Sequence, residues 1–299
     1  MVIKKIDQPH LLVFGPGYSA SALMNIAIDN NWHVAATWRR EDAAQTIVAQ
    51  GAQPLAFSAE GLMRSGIQEN VTHVLVSIAP QADGDPVLGS YRDWLADCPN
   101  LRWIGYLSST NVYGDHHGNW VDETTATHPS LERGKRRLVA EKNWLQLGVD
   151  THTPVHIFRL AGIYGQDRNA LTNIRKGKAR RVIKPGQVFG RIHRDDIGSA
   201  LWLAANSGLE NNIFNLADDL PSPPQDVICE AARLLGVCPP PEVEYKDAAL
   251  SPMGRSFYQE NKRVKNQKAK DMLSWKLDYP DYLRALPKIL EIEKKVKSN

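Results

Sequence analysis

Short runs of apolar, β-branched residues alternate with longer segments of helical character along the first half of the chain. This alternation is typical of parallel strands joined by crossover helices, and it predicts a doubly wound α/β sheet with helices on both faces. Beyond about residue 165 the pattern loosens around two proline clusters, which predicts a smaller mixed α/β C-terminal domain. The predicted strands are LLVF (11–14), HVAAT (33–37), HVLVS (73–77), RWIGYLS (102–108) and VHIFRL (155–160).

A glycine-rich turn, FGPGYSA (14–20), follows the first predicted strand. Gly15 would form the tight turn, Gly17 would let the backbone approach a pyrophosphate, and Ala20 would be the third small residue of a G-x-G-x-x-A pattern. The helix that follows would hold the phosphates at its N-terminus. A plain strand-to-helix turn is the alternative, but the position after the first strand favours a Rossmann-type dinucleotide site. Its predicted residues are Gly15, Gly17, Tyr18, Ser19, Ala20 and Ala79.

The second predicted strand ends in T-W-R-R, where an acidic residue would accept the ribose hydroxyls of NAD. Arg39 and Arg40 stand there instead, and the first carboxylates follow at Glu41 and Asp42. Because arginine pairs well with phosphate, the sequence predicts that NADP is bound in preference to NAD. The alternative is that two exposed arginines pair with the acids beside them.

Five further segments resemble motifs of a known superfamily. They are YLSSTNVYGD (106–115), FRLAGIYG (158–165), RIHRDDIGSAL (191–201), IFNLADD (213–219) and KAKDMLSW (268–275). With the glycine turn, they resemble the extended, epimerase and dehydratase-like branch of the short-chain dehydrogenase/reductase superfamily over nearly the whole chain. The resemblance implies an NADP-binding Rossmann domain at 1–165, to which 187–217 returns, and a mainly substrate-binding region at 166–299.

The catalytic residues of that family are only partly present. Its serine, which orients the reacting carbonyl or hydroxyl, is here Ser109. Its acid/base tyrosine and supporting lysine, in Y-x-x-x-K, fall at Arg133 and Arg137, so the chain resembles the atypical members in which these residues vary. The single Y-x-x-x-K of the chain is Tyr258 to Lys262, in the C-terminal region, and we interpret it as a chance match.

Other side chains would then have to supply the proton. Tyr113 is the predicted donor beside Ser109, with His116, His117 or a bound water as further candidates. Tyr113 has an equal alternative as the structural tyrosine of the V-Y-G turn, and the histidines have one as loop residues.

Arginine stays protonated at working pH, so Arg133 and Arg137 cannot transfer tyrosine's proton, but they can bind anions. We expect Arg137 to bind the cofactor and Arg133 the substrate; the alternative is a solvated basic face. A second basic region, 175–194, corresponds to the mouth of the family's substrate pocket, and Arg255 resembles its diphosphate-binding arginine. The resemblance implies a small anionic substrate, with predicted contacts from Arg133, Tyr164, Arg191, His193 and Arg255.

Two functions remain open. The first is an NADP-dependent oxidoreductase or epimerase acting on a phosphorylated or nucleotide-linked small molecule. The second is a catalytically silent NADP(H)-binding sensor or interaction module. The missing tyrosine favours the second function, whereas Ser109 and the substrate region favour the enzyme, which we prefer.

Composition excludes several other classes. The net charge of +3 is too small to indicate a nucleic-acid partner, and no apolar run approaches the ~18 residues of a membrane span. We therefore expect a cytoplasmic protein without membrane contact. The three cysteines form no C-x-x-C pair and have no histidine at ligand spacing, so neither a metal nor a disulfide is expected and all three are interpreted as core thiols.

A leucine repeat suggests how two copies could associate. Leu131, Leu138 and Leu145 recur every seven residues and could form one stripe on a helix. The corresponding helix in the superfamily often builds a dimer, so a homodimer is expected; the alternative is that the leucines pack on the sheet.

Overall fold

The fold comes from a computed structural model, which describes residues 8–298. The strands in this range are β1 (His10–Phe14), β2 (His33–Trp38), β3 (Gln53–Ala56), β4 (His73–Val76), β5 (Trp103–Ser109), β6 (Trp120–Val121), β7 (Val155–Leu160), β8 (Gly162–Tyr164), β9 (Arg181–Ile183), β10 (Arg191–His193), β11 (Asn212–Leu216), β12 (Glu242–Glu244) and β13 (Arg263–Val264).

The helices of the same range are α1 (Ala20–Asp29), α2 (Glu41–Ala49), α3 (Ala59–Arg64), α4 (Pro86–Ala96), α5 (Glu132–Thr151), α6 (Ala170–Arg175), α7 (Arg194–Ala205), α8 (Pro224–Leu235), α9 (Pro252–Phe257), α10 (Gln267–Leu273) and α11 (Tyr282–Ser298). Two 3₁₀ turns, Ile67–Glu69 and Thr110–Tyr113, complete the elements.

Seven strands form the main sheet, in the order β11-β7-β5-β4-β1-β2-β3, and every pairing in it is parallel. The strand order reverses between β1 and β4, which lie side by side with Leu12 opposite Val74. All five predicted strands belong to this sheet. In an open parallel sheet, such a reversal leaves a crevice at the carboxyl ends of the strands, where ligands bind.

The alternating side chains of β1 show that helices cover both faces of the sheet. Leu11 and Val13 pack in one cluster with residues of α1, α7 and α10, whereas Leu12 and Phe14 pack in another with residues of α3, α4 and α5. The predicted doubly wound α/β fold is confirmed.

The edge strand β3 was not among the predicted strands. Its sequence, QPLA, is short and contains Pro54, which lies beside Ala36 of β2. Proline cannot donate a backbone hydrogen bond, and it is tolerated at a sheet edge because one side of the strand there has no partner.

The second half of the chain builds a smaller region over the carboxyl ends of the strands. Two-stranded sheets β8-β10 and β9-β12 lie in it, and a separate cluster packs residues of α6, α8 and α11 together. Two helices of the second half return to the main sheet. Helix α7 packs on α1, and α10 contributes Ala269 and Leu273 to the core of the main sheet.

Two remaining expectations concern cysteines and membranes. Cys98 is buried, but Cys229 is half-buried and Cys238 is exposed, so the interpretation of all three as core thiols is wrong for Cys238. Within residues 8–298, no helix combines the length and apolarity needed to cross a bilayer.

Candidate functional site

The glycine turn lies at the point where the strand order reverses. Gly15 has φ +82°, a left-handed conformation, and a Cβ there would lie 2.8 Å from Cγ1 of Ile78, just after β4. A Cβ on Gly17 would meet no atom within 4 Å, so the space beside its backbone is open. Ala20 is buried at the start of α1. The turn therefore presents open backbone and a helix N-terminus to the crevice.

The other predicted cofactor residues surround this turn. Ser19 precedes α1 as its N-cap, although its side chain makes no capping hydrogen bond. The Tyr18 hydroxyl is buried without a hydrogen-bond partner among the described residues, and the guanidinium carbon of Arg194 lies 5.2 Å from the ring centre. Ala79 is exposed shortly after β4.

Arg39 and Arg40 follow β2, on the far side of β1 from β4. The guanidinium of Arg40 pairs with Asp42 at 3.5 Å, which is the alternative the sequence left open. Arg39 is exposed, and its guanidinium carbon lies 4.6 Å from the ring centre of Phe57. No carboxylate of residues 8–298 lies within ion-pair distance of Arg39, so its charge is available to a ligand.

A cavity of about 600 Å³ opens at the carboxyl ends of β5 and β7, between the main sheet and the smaller region. Ser109 lines it, half-buried at the last position of β5, and its Oγ accepts a hydrogen bond from the backbone N–H of Asn111 at 3.3 Å. The wall carries one carboxylate, that of Glu260, and six basic side chains: Arg133, Arg168, Lys178, Arg180, Arg191 and Lys262.

Arg133 lies in the first turn of α5 and lines this cavity, as its assignment to the substrate requires. Its Nη1 donates to Oγ of Ser256 at 2.7 Å, and its guanidinium carbon lies 4.9 Å from the ring centre of Phe257. Its Nε is buried without a partner among the described residues. Arg133 thus joins α5 to α9 and still has a donor to offer.

Arg137 lies one turn later and does not line the cavity. Its Nη1 donates to the backbone carbonyl of Leu107 in β5, and its guanidinium carbon lies 5.9 Å from the ring centre of Tyr106. A contact with the cofactor stays a prediction for this half-buried side chain.

Tyr113 is completely buried and lies outside the cavity. Its hydroxyl donates to Oδ1 of Asn215 at 2.7 Å and accepts from Nη1 of Arg159 at 3.0 Å. Burial raises the pKa of this hydroxyl, against the effect of the Arg159 charge. These contacts are those of the structural tyrosine, the second interpretation of this residue.

The adjacent histidines also lie outside the cavity wall. Nε2 of His116 is 3.1 Å from the carbonyl oxygen of Tyr113, and Nδ1 of His117 is 3.1 Å from the Asp115 carboxylate. The side chain of His117 is exposed, as expected of a loop residue.

Two of the other predicted substrate residues lie in the cavity wall. The Tyr164 hydroxyl is buried without a hydrogen-bond partner among the described residues, and burial raises its pKa. Nη1 of Arg191 donates to Oγ of Ser222 at 3.0 Å, and burial lowers the pKa of this guanidinium although Asp218 opposes the shift. Both side chains are therefore placed to meet a ligand.

His193 and Arg255 do not line the cavity. His193 caps α7 by accepting from the N–H of Asp195, and its ring stacks on Tyr279, so burial lowers its pKa to about 4. Arg255 donates to the carbonyl of Ala248 at 3.1 Å. Neither side chain lines the cavity with Ser109, and substrate contacts from His193 and Arg255 stay a prediction.

The sequence interpretation missed Tyr258, Glu260 and Lys262, all of which line the cavity. The signal was visible as the single Y-x-x-x-K of the chain, but its distance from Ser109 in sequence made it look accidental. The pairing of β13 with β6 brings this segment back beside the V-Y-G turn.

No protein-family model matches the chain, and no curated protein matches it. Among solved structures, it is similar to a functionally unknown conserved protein from Silicibacter pomeroyi DSS, with 44% identity, a TM-score of 0.89, and coverage of 95% of this chain and 99% of that one.

More distant structures share the fold. A dTDP-glucose 4,6-dehydratase from Bacillus anthracis str. Ames, in complex with NAD, is 16% identical with a TM-score of 0.74, covering 97% of this chain and 98% of that one. A UDP-glucose 4-epimerase from Thermotoga maritima, with UDP-glucose, is 16% identical with a TM-score of 0.76, covering 96% and 99%. The chain therefore belongs to one family with the Silicibacter pomeroyi protein, and it shares its fold with the Bacillus anthracis dehydratase and the Thermotoga maritima epimerase.

Proposed function

We propose that the chain is an NADP-dependent oxidoreductase or epimerase that acts on a small anionic molecule. The observation that carries the proposal is the position of the basic cavity: it begins at Ser109 on β5, next to β4, whose end forms the crevice with the glycine turn. The crevice proposed for the cofactor and the cavity proposed for the substrate are thus adjacent, at the carboxyl ends of the strands of the main sheet.

The residues of the crevice fit a dinucleotide. The open space beside Gly17 would admit a pyrophosphate to the backbone, where the positive N-terminal end of α1 would attract it. A bound nicotinamide would supply hydride transfer to or from a substrate carbon. The NAD of the Bacillus anthracis dehydratase supports a nicotinamide cofactor, and Arg39 supports a preference for the 2′-phosphate of NADP.

The cavity supports an anionic substrate. Its wall has six basic side chains against the carboxylate of Glu260, so a phosphate or carboxylate group would be attracted and a cation repelled. Ser109 would orient the substrate oxygen by a hydrogen bond from its hydroxyl, and Arg191 and Arg133 would bind the anionic group.

The proposal is tested by cofactor titration and by turnover. Intrinsic fluorescence is followed with NADPH and NADH, and NADPH oxidation is then measured with 2-keto acids, sugar phosphates and nucleotide-linked sugars. We expect a lower dissociation constant for NADPH than for NADH, and oxidation by at least one anionic compound that Ser109→Ala reduces 100-fold or more without changing NADPH affinity. Failure to bind either cofactor contradicts the proposal, whereas tight NADPH binding with neither net NADPH oxidation nor epimerisation of any compound, the latter followed by NMR, favours the silent sensor.

A further inference from the structure

Lys262 is a buried ammonium group in the cavity wall. Its Nζ donates to the carbonyl oxygen of Gly114 at 2.7 Å and to Oε2 of Glu260 at 2.7 Å, and its side chain is 9% exposed. A lysine ammonium has three N–H donors. Two are occupied within residues 8–298, so the third is left for a ligand in the cavity.

The surroundings hold Lys262 in place. Oε1 of Glu260 accepts from Oγ of Ser130 at 2.6 Å, and the Glu260 carbonyl accepts from Nε2 of Gln187 at 2.9 Å. The N–H of Asn261 donates to Oδ1 of Asp115 at 2.7 Å. Hydrogen bonds thus hold both Glu260, the ion-pair partner of Lys262, and Asn261, the residue before it in the chain. The ammonium group of Lys262 is therefore preorganised.

Lys262 and Ser109 approach the cavity from the two ends of one short turn. The 3₁₀ turn Thr110–Tyr113 begins directly after Ser109 and ends at Gly114, whose carbonyl accepts from Lys262. Arg133 lines the same cavity, near enough to Lys262 for the two positive charges to repel. A substrate oxygen bound by Ser109 is therefore held in the cavity that Lys262 faces.

Among the basic groups of the wall, Lys262 is the one whose buried position most favours the loss of a proton. The guanidinium groups stay protonated, and burial raises the pKa of the phenols of Tyr164, Tyr258 and Tyr282. Burial lowers the pKa of Lys262, with a smaller contribution from Arg133 and against the charges of Glu260 and Asp115. The other lining amine, Lys178, is exposed.

We propose that Nζ of Lys262 gives a proton to the substrate oxygen, and takes it back in the reverse direction. The proposal rests on the function proposed above, in which reduced nicotinamide is the reductant. As the carbonyl carbon gains a hydride, its π electrons move to oxygen, which forms an O–H bond with the Lys262 proton. The N–H electron pair stays on nitrogen as a lone pair, and the amine regains a proton from water. Glu260 acts as a positioning residue that holds the ammonium.

The first test traps the amine without cofactor or turnover. Pyridoxal 5′-phosphate, an anionic aldehyde, condenses with a reachable neutral amine with loss of water, and borohydride reduction makes the product permanent for peptide mass spectrometry. We expect trapping at Lys262, with half-maximal labelling at a lower pH than that of N-acetyl-lysine methylamide in the same sample. No trapping at Lys262 in the folded protein, or a midpoint equal to that of the reference amine, overturns the proposal.

A matched compound separates this proposal from the proposed function. Pyridoxal lacks the phosphate, and we expect it to label Lys262 at least fivefold less. Equal labelling by both aldehydes would support a reachable Lys262 while counting against an anionic substrate. Absence of NADPH binding alongside strong labelling would overturn the cofactor assignment and leave the reactive amine established.

Two variants then separate proton transfer from charge. In the reaction identified by the turnover assay, Lys262→Arg keeps the positive charge and Lys262→Met keeps only the length, and we expect kcat to fall 100-fold or more in both. NADPH dissociation constants are expected within threefold of wild type, which reports a folded protein. Retention of kcat in Lys262→Arg would overturn the proton-transfer role and assign Lys262 to anion binding.

Discussion

Arg39 and Arg40 are neighbours in the chain with different surroundings. Arg40 forms a surface ion pair with Asp42, an interaction that contributes little to stability. Arg39 instead lies over the ring of Phe57. Stacking on an aromatic face limits the motion of a guanidinium and leaves its edge free to donate. Of the two arginines, Arg39 is therefore the one that we predict to bind the 2′-phosphate of NADP.

We predict that Arg39→Asp raises the dissociation constant of NADPH tenfold or more and leaves that of NADH equal or lower. A charge-assisted hydrogen bond to phosphate contributes about 1.5 to 3 kcal/mol, and the aspartate would accept from a ribose hydroxyl instead. Fluorescence titration with both cofactors measures the effect, and Arg40→Asp is the matched control, expected within threefold of wild type. Equal loss of both cofactors in Arg39→Asp would contradict the assignment.

Arg137 either binds the cofactor or serves only its hydrogen bond to Leu107, and the variant Arg137→Ala distinguishes these two roles. If it binds the cofactor, Arg137→Ala raises the NADPH dissociation constant tenfold or more, since a lost charge-assisted hydrogen bond costs about 1.5 to 3 kcal/mol. We expect this result at low salt and a smaller one at high salt, because salt screens the interaction. An unchanged dissociation constant with a lower denaturation midpoint would show that Arg137 serves only its hydrogen bond to Leu107.

At the scale of elements, one buried network joins α5 to the main sheet. Glu141 of α5 accepts from Oγ of Ser108 in β5 at 2.5 Å and from Nη2 of Arg159 in β7 at 2.8 Å. Arg159 also donates to Tyr113, which donates to Asn215 in β11. Because Tyr113 lies in the turn that follows Ser109, the network holds this turn, and with it Ser109, on the side that faces the protein core.

We predict that Arg159→Met lowers the free energy of unfolding by about 3 to 5 kcal/mol. The Arg159 and Glu141 side chains are only 4% and 2% exposed, so the variant leaves the Glu141 carboxylate buried and uncompensated. Arg233→Met, which removes the exposed partner of Glu230, is the matched control, and we expect it to change the free energy of unfolding little. Urea denaturation followed by circular dichroism measures both, and equal small losses would argue against a stabilising network.

At the scale of the whole molecule, buried histidines make the fold sensitive to acid. Burial lowers the pKa of His73, in β4, to about 4 from its ordinary 6.5. Between these values the unfolded chain binds a proton that the folded chain does not, so stability falls as the pH is lowered through this window. Asp196 acts in the opposite sense, because burial raises its pKa to about 7 and stability from this group falls as the pH rises towards that value.

Replacing His73 isolates its share of this dependence. Wild type is expected to lose about 2 kcal/mol between pH 7 and pH 5 through His73, since each pKa unit corresponds to about 1.4 kcal/mol. His73→Gln removes the titration, so the difference in unfolding free energy between the two pH values should be smaller by that amount. Urea denaturation at both pH values measures it, and an unchanged difference would contradict the burial effect.

Helix α5 has exposed apolar side chains through which two copies of the chain could associate. Leu138 and Leu145 are half-buried and pack against the two core clusters, whereas Val139 and Val149 of α5 are 57% and 58% exposed. Leu138 and Leu145 thus follow the alternative, in which the leucines pack on the sheet, and we predict instead a dimer through Val139 and Val149, with twice the mass of one chain in sedimentation at micromolar concentration. Val139→Glu with Val149→Glu should yield monomer, and Met63→Glu on α3 should not. A monomeric wild type would contradict the prediction.

Local sequence patterns were sufficient to predict the five inner strands of the main sheet and the crevice at their carboxyl ends. Apolar runs such as LLVF and HVLV can be buried on both faces only as central strands, and Gly15 is needed where φ is positive and a side chain would strike Ile78. Ser109 was also found from sequence, since it ends a strand whose carboxyl end must open at that edge.

The other side chains that line the cavity with Ser109 could be identified only from the folded structure. Tyr113 is close in sequence but faces the core, and Arg255 turns towards Ala248, whereas Lys262 reaches the cavity through the pairing of β13 with β6. Such contacts depend on how distant segments pack, and no local period encodes them. The pattern Y-x-x-x-K was readable at 258–262, but its place beside Ser109 follows from the closed packing of the whole chain.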